Sequence, residues 1–590
     1  MSSKKTAQVF TYITLAVFCV LALRLWQLQI LKGDYYREQS IKNRIRVVKI
    51  PAPRGIIYDR NGIKLVKNVP FYIASLLPDI SEKEINLKAL SKLLGMSEKE
   101  IRERIAKRNP KSLEPIRLKM GLSFKEVARI EARRSDFPGL IIETEVTRAY
   151  PYGKTASHLI GYLSLPTVEQ LRNPGAKEIV QGSLVGQWGV EALYDEKLRG
   201  TPGMKFIEVD ALGRQLRTIK IIPPRRGDDI TLSIDLPTQI AAEKAFNKQS
   251  GGLLALDPQN GKVIALVSLP SFDPNEFVTG ISPKKWTRLI RHPGHPMLNR
   301  VLQSQYPPGS VFKLIVAIAA LEEGIISPGF KVNCTGSISI GRWTFRCWKR
   351  DGHGLVDLKR AIVESCDVYF YEIGRLLGID RIAKYARAIG LGVPVGLKLC
   401  KEKEGLIPTT RWKKKVKGRP WYLGETFNAA IGQGYVSITP AQAAMLTAAI
   451  GNGGIIYKPS VLLDSPVEIA GKLSLKPSTI RILKRAMYSV VVGAKGTGWR
   501  AKSGIVPIAG KTGTAQVVSH RDDEPENRWA PKDHAWFVAF APVREPTIAL
   551  SVFVEHGGHG GETAAPIAKA TIEEYIKQKA KRENEGNHTH

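Results

Sequence analysis

Cysteine is scarce in this sequence, with five residues among 590. That number is too small for a scaffold built on disulfides, and the 53 glycines and 36 prolines follow no period typical of a fibre or a repeat array. Acidic residues are also few, 54 against 88 lysines and arginines, so the formal net charge is +34. Because 43% of the residues are apolar and 24% are charged, the composition excludes a disordered chain. The length predicts two to four domains.

The positive charge suits nucleic acid, an anionic membrane surface or an acidic substrate. The sequence lacks RNP, KH and zinc-finger patterns, which argues against nucleic acid. Residues 7–31 form an apolar run, with Arg24 and two glutamines near its far end, that is long enough to cross about 30 Å of hydrocarbon. No small-residue cleavage site follows it, so a retained membrane anchor is predicted rather than a signal peptide. A long buried core helix is the alternative.

The charges beside this run predict its orientation. Lys4 and Lys5 precede it and favour a cytoplasmic N-terminus, although basic residues also follow it. We therefore expect a single-pass inner-membrane protein with a cytoplasmic tail (1–6), an anchor (7–31) and a periplasmic remainder. In that location the membrane is an expected partner, and nucleic acid is not.

Two blocks of different pattern follow the anchor, and together they predict an α+β fold class. Residues 32–235 read as an elongated, β-rich pedestal, with a tight hairpin at Asn61-Gly62 and a small helical head at about 79–135. Residues 236–579 alternate longer helices with strands, which predicts an antiparallel sheet flanked by helices. Residues 580–590 are polar and are expected to form a disordered tail.

The candidate nucleophile is Ser310, which opens an apolar helix together with Lys313. A serine three residues before a lysine shares one helix face with it, so the amine can take the hydroxyl proton. The same spacing also occurs at Ser2 and Ser282, where nothing else suggests chemistry, so it is weak evidence alone. Ser310 differs because it follows a glycine at a helix N-terminus, where the dipole favours an oxyanion.

Two further motifs lie downstream, Ser365-Cys366-Asp367 and Lys511-Thr512-Gly513-Thr514. A nucleophile turn, a Ser-x-Asp turn and a Lys-Thr-Gly strand in this order are the signature of penicillin-recognising serine acyltransferases. A simple helix-capping role for the serine would leave the other two motifs unexplained.

The sequence resembles the class B penicillin-binding proteins over nearly its whole length, and within them the elongation-type penicillin-binding protein 2. Most of the superfamily has Asn at the third place of the Ser-x-Asp motif. The Asp at this place, Asp367, resembles the elongation type rather than the division type. The remaining motifs that carry it are residues 54–62 (RGIIYDRNG), 148–153 (RAYPYG), 189–194 (GVEALY), 198–200 (LRG), 299–300 (NR), 421–426 (WYLGET) and 431–434 (IGQG).

The resemblance implies a serine-type peptidoglycan D,D-transpeptidase with a possible D,D-carboxypeptidase side activity. Ser310 would attack the penultimate D-alanine of a stem pentapeptide, and an amine of a neighbouring stem would resolve the acyl-enzyme into a crosslink. Lys313 would act as a neutral base, which burial and the nearby Lys511 favour. Ser365 would relay a proton, and Asp367 would order its turn or contact the substrate.

The resemblance also implies how the substrate is held and which partners assist. Lys511, Thr512 and Thr514, with Gly513 between the threonines, would hold the substrate carboxylate, and the N–H groups of Ser310 and Thr514 would form the oxyanion hole. β-Lactams would acylate the serine and stay, and no catalytic cofactor is expected.

No glycosyltransferase domain lies between anchor and pedestal. The implied partners are therefore a membrane glycosyltransferase of the shape, elongation, division and sporulation family, shape-determining elongation proteins and the lipid-linked precursor. Two other functions remain: a β-lactam-hydrolysing or β-lactam-sensing relative, which would not need the long pedestal, and a non-catalytic scaffold of the elongation complex. The intact catalytic motifs argue against the scaffold.

A second candidate site consists of Cys334, Cys347, His353 and Cys366, which lie in a short window. Three thiolates and one imidazole suit a tetrahedral structural zinc ion, although the spacing matches no short zinc-finger pattern. One disulfide with a free thiol, which an oxidising compartment favours, and three inert buried cysteines are the alternatives. A metal here would brace the catalytic Ser-x-Asp turn and would leave no open position for chemistry.

Overall fold

A computed structural model of the protein describes residues 3–77, 85–106, 115–172, 179, 183–209, 215–278, 280–517 and 532–587. Side chains are described for these residues except 3–6, 38–43, 215 and 586–587. The first two residues of the predicted cytoplasmic tail, two stretches of the predicted helical head (79–84 and 107–114) and the last three residues of the predicted polar tail therefore lie outside this description.

The chain begins with α1 (Ser3–Trp26), passes through a π-helical turn (Gln27–Leu31) and continues into α2 (Gly33–Arg44). Residues Ala7–Leu31 form a helix long and apolar enough to cross a membrane, with a hydropathy of 2.0 and 0% of it buried in the protein. A core helix would be covered by other parts of the chain, and this one is not. The exposed apolar helix thus indicates a single-pass membrane anchor.

The pedestal (residues 32–235) contains two main sheets. An antiparallel sheet has the order β1-β8-β9, and a second has the order β10-β2-β3-β4 with β5 also paired to β3. The tight hairpin predicted at Asn61-Gly62 is present between β2 and β3, with Gly62 at φ +78°. Its strands are β1 (Ile45–Ile50), β2 (Ile57–Tyr58), β3 (Lys64–Leu76), β4 (Ile116–Leu122), β5 (Leu140–Ala149), β6 (Leu163–Ser164), β7 (Val185–Gly186), β8 (Gly203–Val209), β9 (Gln215–Ile222) and β10 (Ile230–Thr231). Its helices are α3 (Leu87–Leu94), α4 (Glu98–Ala106), α5 (Phe124–Glu131), α6 (Ser157–Ile160), α7 (Val168–Arg172), α8 (Gly189–Leu193) and α9 (Asp195–Arg199).

The sequence predicted a helical head for the pedestal, but the head also contains a strand. Helices α3, α4 and α5 pack over a sheet extension in which β4 pairs with β3. The strand escaped prediction because β4 reads IRLKMGL, where only Leu118 and Leu122 are buried and basic residues separate the apolar ones. Its pairing with the long strand β3, which sequence periodicity does not reveal, stabilises it as a strand.

The second domain, predicted for residues 236–579, is built on a five-stranded antiparallel sheet with the order β12-β11-β21-β20-β19. Alternate residues of its central strands face two helical layers: Leu253 contacts the layer of α10 and α21, and Leu254 contacts the layer of α13 and α19. Its strands are β11 (Gly251–Leu256), β12 (Val263–Leu269), β13 (Val332–Cys334), β14 (Ser337–Ile340), β15 (Trp343–Arg346), β16 (Gly354–Val356), β17 (Ile455–Tyr457), β18 (Ile469–Lys472), β19 (Ala509–Ala515), β20 (His534–Ala541) and β21 (Ile548–Val554). Its helices are α10 (Leu236–Ala245), α11 (Asn275–Val278), α12 (Pro283–Ile290), α13 (Lys313–Glu322), α14 (Leu358–Val363), α15 (Asp367–Leu377), α16 (Ile379–Ala388), α17 (Thr410–Lys417), α18 (Leu423–Ala430), α19 (Pro440–Asn452), α20 (Pro477–Val492) and α21 (Ala564–Asn587).

The prediction of a disordered tail from residue 580 is wrong for its described part, because α21 continues to Asn587. Exposed Lys–Glu pairs one turn apart support the added turns. The guanidinium of Arg582 also donates to Asp235 and to Asn61 Oδ1, the latter at 3.0 Å. These long-range bonds tie the end of the helix to the pedestal hairpin, and the sequence alone does not indicate them.

Candidate active site

The Ser310 turn lies directly against the edge strand β19. Ser310 occupies a 3₁₀ turn (Gly309–Val311) that leads into α13. Gly309 has φ +54°, and a Cβ added to it would lie 2.3 Å from the carbonyl oxygen of Thr514. Its N–H donates to the Gly432 carbonyl at 3.0 Å. Only glycine fits this position, and the close packing places the serine in a cleft between strand and helix.

Two features of the backbone beside Ser310 would favour a negatively charged oxygen. The Thr514 carbonyl accepts a hydrogen bond from Gln433 Nε2 at 3.2 Å, so it points away from the neighbouring strand β20. Because the N–H and C=O of one strand residue point to the same edge, the Thr514 N–H also faces the Ser310 turn. The N-terminus of α13 adds its partial positive charge, so negative charge on an oxygen here would be stabilised.

Lys313 is completely buried beside the Ser-x-Asp turn. Its Nζ donates to the Ser365 carbonyl at 2.8 Å and to Asp367 Oδ1 at 2.7 Å. The other oxygen of Asp367 accepts from the Trp348 N–H at 2.9 Å. Among the described residues, none hydrogen bonds to the Ser310 hydroxyl. The Asp367 carboxylate therefore orders the turn and holds the Lys313 amine beside Ser365.

Lys511 completes the network from strand β19. Its Nζ is fully buried and donates to Ser365 Oγ at 2.9 Å and to the Thr512 carbonyl at 2.9 Å. Burial, reinforced by the charge of Lys313, lowers the pKa of Lys511 well below its ordinary value. Lys313 Nζ also lies 3.4 Å from Ser365 Oγ. The Ser365 hydroxyl thus lies between two amines, where it can relay a proton.

The remaining residues of the Lys-Thr-Gly-Thr motif line the same strand. Thr512 Oγ1 lies 2.8 Å from Thr497 Oγ1, and a Cβ on Gly513 would approach the Pro308 carbonyl to 2.9 Å. The structure therefore brings the predicted substrate residues beside the nucleophile turn. Their role in holding a carboxylate stays a prediction.

Sequence reasoning assigned no role to three residues that support the site. Trp348 and Thr497 lie outside the catalytic motifs, and neither has a local sequence signal. Gln433 lies in the IGQG motif at 431–434, which carries part of the family resemblance but does not show that Gln433 binds Thr514.

The predicted cysteine cluster comes together behind the catalytic turn. All four residues are buried, and their ligand atoms lie within 4.8 Å of one another. His353 Nδ1 is 3.6 Å from Cys334 Sγ and 3.5 Å from Cys347 Sγ. A tetrahedral zinc ion with ordinary Zn–S and Zn–N bonds would separate sulfur and nitrogen by about 3.6 Å, so the donor set fits this metal. All described cysteines are free thiols, so the disulfide alternative is not present.

The cluster is joined to the catalytic turn through backbone contacts. Asp367 N–H points at Cys347 Sγ at 3.4 Å, and Cys366 separates the two polar residues of the Ser-x-Asp motif. Whatever holds the thiols together therefore also positions the two residues that contact Lys313.

Comparison with known proteins agrees with this geometry. The family model described as the penicillin binding protein transpeptidase domain matches residues 251–573, and the model for the penicillin-binding protein dimerisation domain matches residues 49–232. The chain is 35% identical to the peptidoglycan D,D-transpeptidase MrdA of Acinetobacter baumannii, over 97% of this chain and 88% of that one. It is 34% identical to MrdA of Escherichia coli K12, over 92% and 89% of the two chains. The chain belongs to the class B penicillin-binding proteins.

Solved structures of similar architecture extend the comparison. The penicillin-binding protein PBP2 of Helicobacter pylori, in complex with MreC, matches with a TM-score of 0.79 and 29% identity, covering 90% of this chain and 99% of that one. PBP2 of Pseudomonas aeruginosa in complex with WCK 5153 matches with a TM-score of 0.69 and 32% identity, covering 90% and 96%. One chain of a peptidoglycan synthase complex, described as coordinating polymerisation and crosslinking, matches with a TM-score of 0.72 and 31% identity. The match covers 98% of each chain.

Proposed function

We propose that this protein is a peptidoglycan D,D-transpeptidase that crosslinks stem peptides through an acyl-enzyme on Ser310 during cell-wall elongation. One observation carries the proposal: Ser365 Oγ lies between two buried lysines, beside a serine turn that packs against an edge strand. The MrdA relatives, named for this activity, match nearly the full chain and support it.

The reaction begins when Ser310 Oγ attacks the carbonyl carbon of the penultimate D-alanine. Lys313 accepts the serine proton as general base, and the N–H groups of Ser310 and Thr514 stabilise the oxyanion. When the amide bond breaks, Ser365 passes a proton to the leaving amine of the terminal D-alanine, which departs. The carbonyl stays on Ser310 as an ester.

The second half-reaction reverses these roles. An amine of a neighbouring stem attacks the ester carbonyl, loses a proton through Ser365, and releases Ser310 as the crosslink forms. Water in place of the amine would give the carboxypeptidase side activity. Lys511, Thr512 and Thr514 would hold the carboxylate of the stem, because they line the strand that faces the serine.

Crosslinking by the full chain tests this proposal. Purified protein supplied with lipid-linked precursor and a glycan polymerase should form dimeric stem peptides, and Ser310→Ala should form none. In cells, the same variant should fail to support rod shape. A scaffold without catalytic activity would still support rod shape when the serine is replaced, and that result would contradict the proposal.

We also propose a cytoplasmic N-terminus, a periplasmic catalytic domain, and partners among the shape-determining proteins and membrane glycosyltransferases. The span at Ala7–Leu31 and the lysines before it support the orientation. The PBP2–MreC complex and the peptidoglycan synthase complex among the similar structures support the partners. A reporter fused to the N-terminus should remain inaccessible to periplasmic labelling, and labelling there would contradict the orientation.

For the cysteine cluster we propose a structural zinc ion held by Cys334, Cys347, His353 and Cys366. The sulfur–nitrogen distances and the burial of all four residues support it, and a closed four-ligand site would give the metal no part in the reaction. Native mass spectrometry should show about one zinc per chain, lost in Cys334→Ser and retained in Cys400→Ser, the control outside the cluster. Metal-free wild-type protein that acylates at the normal rate would contradict a bracing role.

A further inference from the structure

The second domain carries a groove outside the catalytic cleft. It has a volume of about 730 Å³ and lies between the 3₁₀ turn Trp499–Ala501 and the first half of α21. None of its lining residues belongs to the catalytic network. One wall nevertheless begins two residues after Thr497, whose hydroxyl meets that of Thr512 at 2.8 Å. The groove is therefore a separate feature placed close to the strand that faces the serine.

The wall formed by the 3₁₀ turn presents a tryptophan to the groove. Trp499 is 61% exposed, and the guanidinium of Arg500 lies 5.2 Å from its ring centroid. The turn is held in place, because the Gly498 N–H donates to the Val490 carbonyl at 2.9 Å and Gly498 packs tightly against the Phe537 ring, where an added Cβ would lie 3.0 Å away. A large indole held exposed in a concave site is typical of ligand binding, and its flat face suits the apolar face of a sugar ring.

The charge around the tryptophan is positive. Arg500, Lys502 and Lys569 line the groove with a single carboxylate, Glu573. That carboxylate accepts from Ser503 Oγ at 2.7 Å and pairs with Lys569 at 3.9 Å. Within the described part of the chain, neither Arg500 nor Lys502 forms an ion pair. Two cations are thus available to an anionic ligand beside the indole.

We propose that this groove binds a peptide-bearing sugar of the cell wall, with the pyranose ring stacked on Trp499 and a carboxylate of its acidic peptide held by Arg500 and Lys502. The identity of the ligand rests on the proposed function, because a periplasmic crosslinking enzyme meets lactyl-substituted sugars and their acidic peptides. The volume fits a ligand of that size. The groove would give the enzyme a second contact with the cell-wall glycan whose stem peptides it crosslinks.

The test uses the full chain in detergent micelles, acylated beforehand with penicillin so that the catalytic cleft is occupied. The probe is N-acetylmuramyl-L-alanyl-D-isoglutamine, and di-N-acetylchitobiose is the uncharged comparison. Calorimetry should show that the acidic probe binds more tightly, and that Trp499→Ala weakens it by about tenfold or more. Arg500→Gln should weaken the acidic probe without affecting the uncharged sugar.

Trp343→Ala is the matched control. Trp343 is 64% exposed and carries Arg342 at 5.3 Å from its ring, yet it does not line this groove. We expect this variant to change binding by less than about twofold. Equal losses in the two tryptophan variants, no binding to wild-type protein, or no preference for the acidic probe would overturn the proposal. Failure of the wild-type protein to acylate would instead contradict the proposed function, so the two failures are distinguishable.

Discussion

Replacing Glu191 with glutamine should unfold the part of the pedestal that contains β3 and β5. This carboxylate is fully buried, and it accepts from Arg54 Nη2 at 2.8 Å and from Arg148 Nε at 2.7 Å. The two arginines come from the RGIIYDRNG and RAYPYG motifs, and Glu191 comes from GVEALY. One carboxylate therefore joins three segments that are far apart in the sequence.

The magnitude follows from burial and from the partners that would remain. Glutamine keeps the shape but removes the charge, and Arg148 would then be a buried guanidinium without a carboxylate, whereas Arg54 keeps Asp195 at 2.8 Å. Breaking a buried pair in this way costs about 3–5 kcal/mol of stability. Burial alone would raise the pKa of Glu191, but Arg148 and Arg54 outweigh it and lower the pKa.

The sign of the pH dependence follows from that lowered pKa. The stabilisation is complete above the ordinary carboxyl pKa and is lost as the pH falls through the lowered value in the folded protein. The difference between wild type and Glu191→Gln should therefore be full at neutral pH and shrink only in strong acid.

Hydrogen exchange of peptides from β3 and β5 is the appropriate assay, because it reports the pedestal separately from the second domain. Glu145→Gln is the control: its pair with Arg117 spans 2.5 Å, but the two side chains are 44% and 52% exposed. An exposed pair contributes at most about 1 kcal/mol. If the two variants lost similar protection at neutral pH, the reasoning about the buried network would be refuted.

Two further substitutions test the active site. Asp367→Ala leaves Lys313 without its carboxylate, so penicillin acylation measured with a fluorescent analogue should slow by about 10²-fold, and an unchanged rate would contradict the positioning role. Gly309→Ala places a Cβ 2.3 Å from the Thr514 carbonyl, and a strain of about 1–3 kcal/mol at this turn should slow acylation by about tenfold or more. Gly324→Ala, at φ +68° with nothing within 4 Å, should acylate normally, and similar losses in both glycine variants would indicate backbone strain alone.

Much of the site could be predicted from the sequence because its chemistry is local. Ser310 and Lys313 are three residues apart, and each of the other two motifs is a short run of adjacent residues, so each can be recognised in the sequence by itself. The link from Asp367 to Lys313 and to the Trp348 N–H joins separate segments, so no spacing encodes it. For the same reason the lowered pKa of Lys511 follows only from the folded neighbourhood.

The fold shows the same division between local and long-range information. The hairpin at Asn61-Gly62 and the apolar central strands follow from turn chemistry and alternation. Strand β4 has little alternation of its own and depends on β3, and the last turns of α21 are tied down by Arg582 to residues far away in the chain. Both departures from prediction arise where tertiary contacts override weak local preference.

The most direct measurement of the central claim is the intact mass of the full chain before and after exposure to penicillin. Wild-type protein should gain the mass of one penicillin molecule, with the adduct on Ser310. The adduct should last much longer than the acyl-enzyme of a β-lactam-hydrolysing enzyme does. Ser310→Ala should gain nothing. Consumption of penicillin without an adduct would indicate a β-lactam-hydrolysing enzyme, and an unmodified wild-type protein or an adduct on another residue would contradict the acyl-enzyme mechanism.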